Sequence, residues 1–430
     1  MNILLGIAIA MAAGLIVSRI TKLFNLPAVT AYLIAGVLVG PYLLGAVGRY
    51  FGIEGLGFVS MDVVHSLSII SDVALGFIAF SIGNEFRLSQ IKAIGKAAGV
   101  IGTLQAVIAT LFVDIALVAL HFVLGEEILP LSVAITMGAI AAATAPAATL
   151  MVVKQYKAEG KLTDLLLPVV ALDDAVGLII FSVSFGIAKG LTTTGGGFDP
   201  ISVFVNPMVE IVFSLILGSV MGALLSFAER FFGSNSKRLS LAITAVILTV
   251  ALSQIKFSIG PVHVGFSSLL VCMMLGTIFC NMCDFSEELM SKTDKWTAPL
   301  FMLFFVISGA ELELSVFKSL YIILIGVVYI AARSLGKYFG ARWSAQLVHC
   351  DDNIKKNLGI TLLPQAGVAL GMAVTAYQGL GEEGAMIRNI VLFGVLIYEL
   401  VGPSLTRMAL TRAGDIKPKK KLEVAPAEND

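Results

Sequence analysis

Asp173 and Asp174 are adjacent acids inside LLLPVVALDDAVGLIIFSVSFGI, a run with no other charge. The run is about as long as a helix that crosses a bilayer. A carboxylate at the centre of such a layer costs roughly 2.5–3.5 kcal/mol on insertion scales, so a pair there points to chemistry rather than to folding. Neighbours on a helix project about 100° apart, so one acid can meet a cationic side chain while the other meets an aqueous funnel. Burial and like charge both oppose ionisation, and the two acids titrate as a coupled unit. A carboxylate so placed holds a proton or a cation, and not both well. Opened to one side of a membrane at a time, it trades one for the other.

The candidates for counter-charge lie in AARSLGKYFG, where Arg333 and Lys337 are four residues apart and share a helix face. Arginine stays charged, whereas a buried lysine can release its proton. Lys337 therefore suits both neutralising an acid and proton exchange, and Arg333 suits permanent pairing. The alternative is that long stems carry both heads to the membrane interface. Two further stretches bear on the same chemistry. AAATAPAAT carries Thr144, Ala145 and Pro146, and TLLPQAG carries Leu363, Pro364 and Gln365. A proline inside a helix frees a carbonyl about one turn earlier, and lipid offers that carbonyl no partner. Two such stretches facing each other can present carbonyls to a cation and helix N-termini to an acid. The alternative is an ordinary proline kink.

These residues need helices to hold them. The chain has 430 residues, of which 57% are hydrophobic and 13% charged, with a mean hydropathy of +0.94. Soluble domains carry about 25% charged residues, so the sequence predicts an all-α polytopic membrane protein. The apolar runs are long and continuous, unlike the short alternating segments of a barrel. The net charge of zero gives no reason to expect nucleic acid as a partner. Thirteen transmembrane helices are expected, near residues 2–19, 27–45, 62–83, 97–123, 129–153, 163–187, 207–231, 238–255, 261–280, 296–310, 318–342, 356–378 and 384–408. The first is expected to be retained, because its positive charges, Arg19 and Lys22, follow the apolar stretch. Lysine and arginine crowd the loops that are cytoplasmic when the N-terminus lies outside. The expected placement is an inner or plasma membrane, with the N-terminus outside and the C-terminus cytoplasmic.

The chain also matches itself. FSIGNEFRLS and VISGAELELS align on Gly83 and Gly309 as G-x-E-φ-x-L-S, with φ apolar, at an offset of 226 residues. At an offset of 225, DAVG from Asp174 falls on ELVG from Glu399. The partners are seven expected spans apart, an odd number, so the second copy is inverted in the membrane. The expected organisation is a first six-helix repeat at 1–187, a connector helix within 188–237, an inverted second repeat at 238–412 and a disordered cytoplasmic tail at 413–430. The two proline-interrupted spans, five and twelve, are then equivalents. Inverted repeats with interrupted helices, and ion sites at the repeat interface, build many secondary transporters.

Other polar residues read more blandly. Glu399 is the repeat partner of Asp174 and a possible second proton site, although capping or pairing with Arg333 or Arg407 explains it as well. Glu85 and Glu311 end their spans and suit structural roles, while Asp72 and Asp114 can line a funnel. Cys280 and Cys283 have C-x-x-C spacing without the second pair or nearby histidines that metal or redox chemistry would call for. The four histidines show no metal spacing. No structural metal, cofactor or enzymatic activity is expected.

Taken together, ALDDAVG, the T-A-P break, GKYFG and LLPQAGVAL resemble the monovalent cation:proton antiporter superfamily, in its branch with paired aspartates, over residues 1–412. The resemblance implies that Asp174 is the principal carboxylate for cation and proton, Asp173 its companion, and Lys337 the intramembrane lysine that pairs with the first aspartate. Thr144 and the unwound backbones of spans five and twelve would line the site. The resemblance further implies a homodimer in which one helical bundle slides against the other. Some relatives use an arginine near Arg333, so which cation meets Asp173 stays open here. The expected function is exchange of Na+, with Li+ or K+ as options, for protons. A K+/H+ antiporter or K+ efflux system is the alternative within the superfamily. A sodium-coupled solute symporter and a channel are more distant readings. An intramembrane aspartyl protease needs its two acids on facing helices, and here they adjoin on one.

Overall fold

A computed structural model describes residues 3–24, 28–53, 55–84, 86–145, 149, 152, 153, 156–193, 205–255, 257–259, 262–313 and 319–416. The N-terminal elements are α1 (Ile3–Thr21), α2 (Ala28–Val39), α3 (Leu44–Phe51), α4 (Met61–His65), α5 (Ser68–Asn84), α6 (Leu88–Leu124), α7 (Leu131–Ile140) and α8 (Lys161–Thr193). They are followed by α9 (Asn206–Ala228), α10 (Asn235–Ser253), α11 (Ser268–Met282), α12 (Ser286–Ala310), α13 (Leu320–Leu347), α14 (Asp352–Thr361), α15 (Gly367–Leu380) and α16 (Glu382–Ala413). Strands β1 (Phe257–Ile259) and β2 (Val262–Val264) form a small antiparallel ribbon before α11.

Among the described residues, eight helices are long and apolar enough to cross a membrane. They fall on the first, second, fourth, sixth, seventh, eighth, eleventh and thirteenth expected spans. The other five fall on shorter, interrupted or more polar helices. The third expected span, near 62–83, is divided into α4 and α5, with Ser66 and Leu67 between them. Its serines and acids weaken it as one continuous apolar rod. The ninth was expected from 261, but α11 begins at Ser268, N-capped by Ser267, whose side chain accepts from the Leu270 amide. Glu85, residues 194–204, Leu314, Ser315 and the tail from 417 lie outside the described residues.

The helices pack as two bundles. One joins α1, α2, α5, α10, α11 and α12, with α9 laid on α11. The other joins α6, α7, α8, α13, α14, α15 and α16. Without water between them, membrane helices associate by close packing, which favours small residues at the contact. Gly36 of α2 and Gly309 of α12 show this. A Cβ on either would run into the other helix's backbone, at Val306 O and Leu33 O respectively. The bundles meet where α2 touches α16, where α5 touches α8 and α15, and where α8 touches α9 and α11. Leu75, Ile78, Ile82, Leu178, Val368 and Gly371 line an apolar gap along that boundary.

Candidate ion site at the helix breaks

The second bundle contains two interrupted segments. Helix α7 ends at Ile140 with Ala141 as its C-cap, and the chain runs on to Ala145 outside any helix; helix α14 stops at Thr361, and α15 begins at Gly367. Proline explains the second break, because Pro364 cannot supply the amide that a continuing helix needs. Pro146, expected to break the first, lies outside the described residues. The two breaks touch directly: the Ala145 amide donates to the Pro364 carbonyl at 2.9 Å.

Each break leaves carbonyls without intrahelical partners. Side chains meet the last carbonyl of each helix and those of the breaks that follow. Arg333 donates from Nε to Ala141 O at 3.1 Å, from Nη2 to Ala143 O at 2.7 Å and from Nη1 to Leu363 O at 2.7 Å. Gln365 Nε2 donates to Ile140 O at 3.0 Å. Thr149 Oγ1 donates to Thr361 O, and Thr144 Oγ1 faces Leu362 O, each at 3.3 Å. Lys337 Nζ meets Ala142 O. The expectation that these carbonyls stand open to a cation is therefore modified, because cationic and amide side chains already occupy them.

The electrostatics follow. Arg333 is fully buried, and no carboxylate of the described residues lies within ion-pair distance of it. A helix C-terminus carries roughly half a negative charge. Two of them, α7 and α14, end on this guanidinium, so together they compensate about one positive charge. Arg333 also stacks over the Tyr398 ring at 4.4 Å.

One turn along α13, Lys337 is placed differently. Its Nζ lies 2.8 Å from Asp173 Oδ2, 2.9 Å from Thr144 Oγ1 and 3.1 Å from Gln105 Oε1. Lysine and aspartate are both fully buried. Thr144 Oγ1 and Gln105 Nε2 also donate to the two oxygens of Asp173. Two glycines bring α13 this close to α6. A Cβ at Gly336 would stand 2.9 Å from Ala109 Cα, and one at Gly340 would stand 3.1 Å from Gln105 Cα. Asp174, the next residue on α8, is buried at 3% exposure.

The structure thus brings Asp173, Thr144 and Lys337 into one cluster and Arg333, Leu363, Gln365 and Ala145 into its neighbour. It assigns the partner of Asp173, which is Lys337. Glu399 does not join either cluster. It is 1% exposed and accepts a hydrogen bond from Thr30 Oγ1 of α2 at 3.2 Å. Neither suggested pairing forms, since Arg333 is held by carbonyls and Arg407 lies over the Tyr156 ring at 4.6 Å. Gln105 was missed by the sequence reading, although a lone amide in the apolar run of α6 is a usable signal. Tyr329, which exchanges hydrogen bonds with Gln365 at 3.0 and 3.2 Å, gave none. A separate cavity of about 650 Å³, lined by Asn84, Arg87, Glu287, Ser291, Asp294 and Lys295 among others, shares no lining residue with this site.

The buried ion pair at paired helix breaks lies in a chain that the comparisons place in a family. The model of the family described as sodium/hydrogen exchanger, transmembrane, matches residues 7–412. The chain belongs to the sodium/hydrogen exchanger family. It is 24% identical over 409 residues to a Na+/H+ antiporter of Enterococcus hirae, covering 92% of this chain and 96% of that one. It is 24% identical over 365 residues to the Na+/H+ antiporter NhaS4 of Synechocystis, covering 83% and 84%. Among solved structures, the sodium proton antiporter MjNhaP1 of Methanocaldococcus jannaschii shares the fold, with a TM-score of 0.71 at 18% identity over 94% of this chain and 97% of that one. The protein is accordingly a multi-pass membrane transporter of this exchanger family and not an enzyme.

Proposed function

We propose that this chain exchanges Na+ for H+ by alternating access, with Asp173 and Asp174 as the shared carboxylates. One observation carries the reading: Asp173 and Lys337 form a fully buried pair at 2.8 Å beside two helix breaks, with Asp174 next along the same helix. A buried pair is destabilised by several kcal/mol when either charge loses its partner. With no ion bound, Lys337 neutralises Asp173. A sodium ion at Asp174 displaces the proton held on that carboxylate and sets a second positive charge against the lysine, so Lys337 withdraws from Asp173 or gives up its own proton to the same side. Proton return to Asp174, and to Lys337 where it was lost, expels the cation and restores the pair.

In this reading the bundle carrying the site slides against the other, presenting Asp174 to each side in turn. The apolar gap lined by Leu75, Ile78, Leu178 and Val368 among others supports sliding at the middle of the boundary, while Arg388 with Glu311 and Glu313, and Gln378 with Asp72, are polar contacts that the movement has to break. The inverted-repeat organisation is supported by the composition of the bundles. Helices of the first three and of the eighth to tenth expected spans share one, and those of spans four to six and eleven to thirteen share the other. An outside N-terminus, a cytoplasmic C-terminus and a homodimer belong to the same reading.

The test is cation-driven proton flux in proteoliposomes carrying an internal pH dye. Addition of Na+ should change internal pH, and Asp174→Ala should abolish the change. Unaltered exchange in that variant rejects the site. Responses to Li+ and K+ in the same assay set the selectivity, and a response to K+ without Na+ selects the K+/H+ alternative.

A further inference from the structure

Glu399 is a buried acid that the site at the breaks does not use. It lies on α16, in the site-bearing bundle, and its one hydrogen bond among the described residues comes from Thr30 on α2, in the other bundle, at 3.2 Å. Its Oε1 is buried without a hydrogen-bond partner among the described residues. No lysine or arginine of the described residues lies within ion-pair distance of it. Three residues along α16, Gly402 packs against Pro364 of the second break. Val29, the neighbour of Thr30, packs against Ala145 and Ala366 of the two breaks.

Most of the charges on the elements around Glu399 have partners elsewhere. On α13, Arg333 holds carbonyls and Lys337 holds Asp173, while Ser334 bonds Tyr398 at 2.9 Å. On α8, Asp173 belongs to the lysine pair with Asp174 beside it, and Lys189 pairs with Glu210. Lys161 pairs with Asp351, and Asp164 stands in the first turn of the helix. Lys355 pairs with Asp352 of α14, where Lys356 follows it. On α16 itself, Arg388 faces Glu311 and Glu313, Arg407 lies over Tyr156, and Ser132 bonds Glu383, with Glu382 in the first turn and Arg412 in the last. The described segments of α2, α7 and α15 carry no charged residue.

A buried carboxylate with one neutral donor and no cation beside it among the described residues is accommodated more readily as the neutral acid, because a single hydroxyl does not repay the lost hydration of the charge. We propose that Glu399 is a second proton-binding carboxylate, separate from the aspartate pair. Its protonated form permits the α2–α16 contact seen here. Ionisation of Glu399 favours the arrangement in which sliding has taken it out of that contact. This rests on the bundles moving as described under the proposed function, but not on which acid carries sodium.

The experiment is the pH profile of sodium-driven proton flux in proteoliposomes, comparing wild type, Glu399→Gln and Thr30→Val. Glutamine mimics the neutral acid and keeps the acceptor for Thr30. In Glu399→Gln, exchange should persist, and the step at which Glu399 titrates should vanish from the profile. The variant then behaves at alkaline pH as wild type does at acid pH. Thr30→Val removes a donor that favours the charged acid more than the neutral one, so its step should move to higher pH by about half a unit. Infrared spectra should show a protonated-carboxyl band in wild type that is missing from Glu399→Gln. A wild-type pH profile in both variants, or no difference in the carboxyl region, overturns the proposal. Loss of exchange in Asp174→Ala alone bears only on the ion site, so failure of one reading is distinguishable from failure of the other.

Discussion

Arg333 and Lys337 sit one turn apart on α13, both fully buried, yet their surroundings differ in kind. Arg333 is bound by three backbone carbonyls from two helix breaks. Lys337 is bound by one carboxylate, with a hydroxyl, an amide and one carbonyl around it. A backbone carbonyl cannot titrate or leave, so the arginine is a fixed rivet through the junction. A carboxylate can take a proton or another cation, so the lysine holds a bond that can be exchanged. The contrast also fits the side chains themselves: the guanidinium offers five fixed donors and keeps its charge, while the ammonium is a compact charge that can lose its proton.

The largest expected effect comes from breaking the rivet. Arg333→Met leaves three buried carbonyls without donors, each of which had a charge-assisted bond, and should cost about 5 kcal/mol or more. Thermal unfolding in detergent checks this, and near wild-type stability would show that the carbonyls have other partners. Next comes the exchangeable pair. Lys337→Met alone should destabilise by about 3–5 kcal/mol at pH values where Asp173 is charged, and adding Asp173→Asn should recover most of that. A double variant as unstable as the single one would mean that Lys337 is a rivet as well.

A smaller effect is expected at Gln105, which touches both members of the pair. Gln105→Leu should cost about 1–3 kcal/mol and shift the pH profile of exchange, whereas a purely structural amide would change stability alone. The smallest is Thr149→Val, which removes one hydroxyl from the Thr361 carbonyl and should lower stability by about 1 kcal/mol. An effect as large as that of Arg333→Met would place the strength of the junction in its hydroxyls rather than in its guanidinium.

Much of this was legible in the sequence, and for a simple reason. In chains that live in hydrocarbon, every charge and every proline inside an apolar run is conspicuous, because each has a cost there that must be met. Asp173, Asp174, Arg333, Lys337 and Pro364 stand out on that ground alone, and so do the membrane class and most of the spans. Gln105 and Tyr329 did not stand out, since an uncharged polar side chain in a span is less costly and more common.

What a linear pattern could not give was the pairing. Arg333 and Lys337 share one face of one helix, so spacing treats them as equals. They are separated by what lies opposite. The close approach of α13 to α6 at Gly336 and Gly340 sets Lys337 against Gln105 and Asp173, while the crossing of the two breaks delivers a ring of carbonyls to Arg333. Nor could it show that Glu399, which the internal sequence match aligns with Asp174, faces a threonine across the bundle boundary. Residue type along the chain determined which groups had to find partners in a medium without water. Only the packing of helices distant in sequence decided which partner each one found.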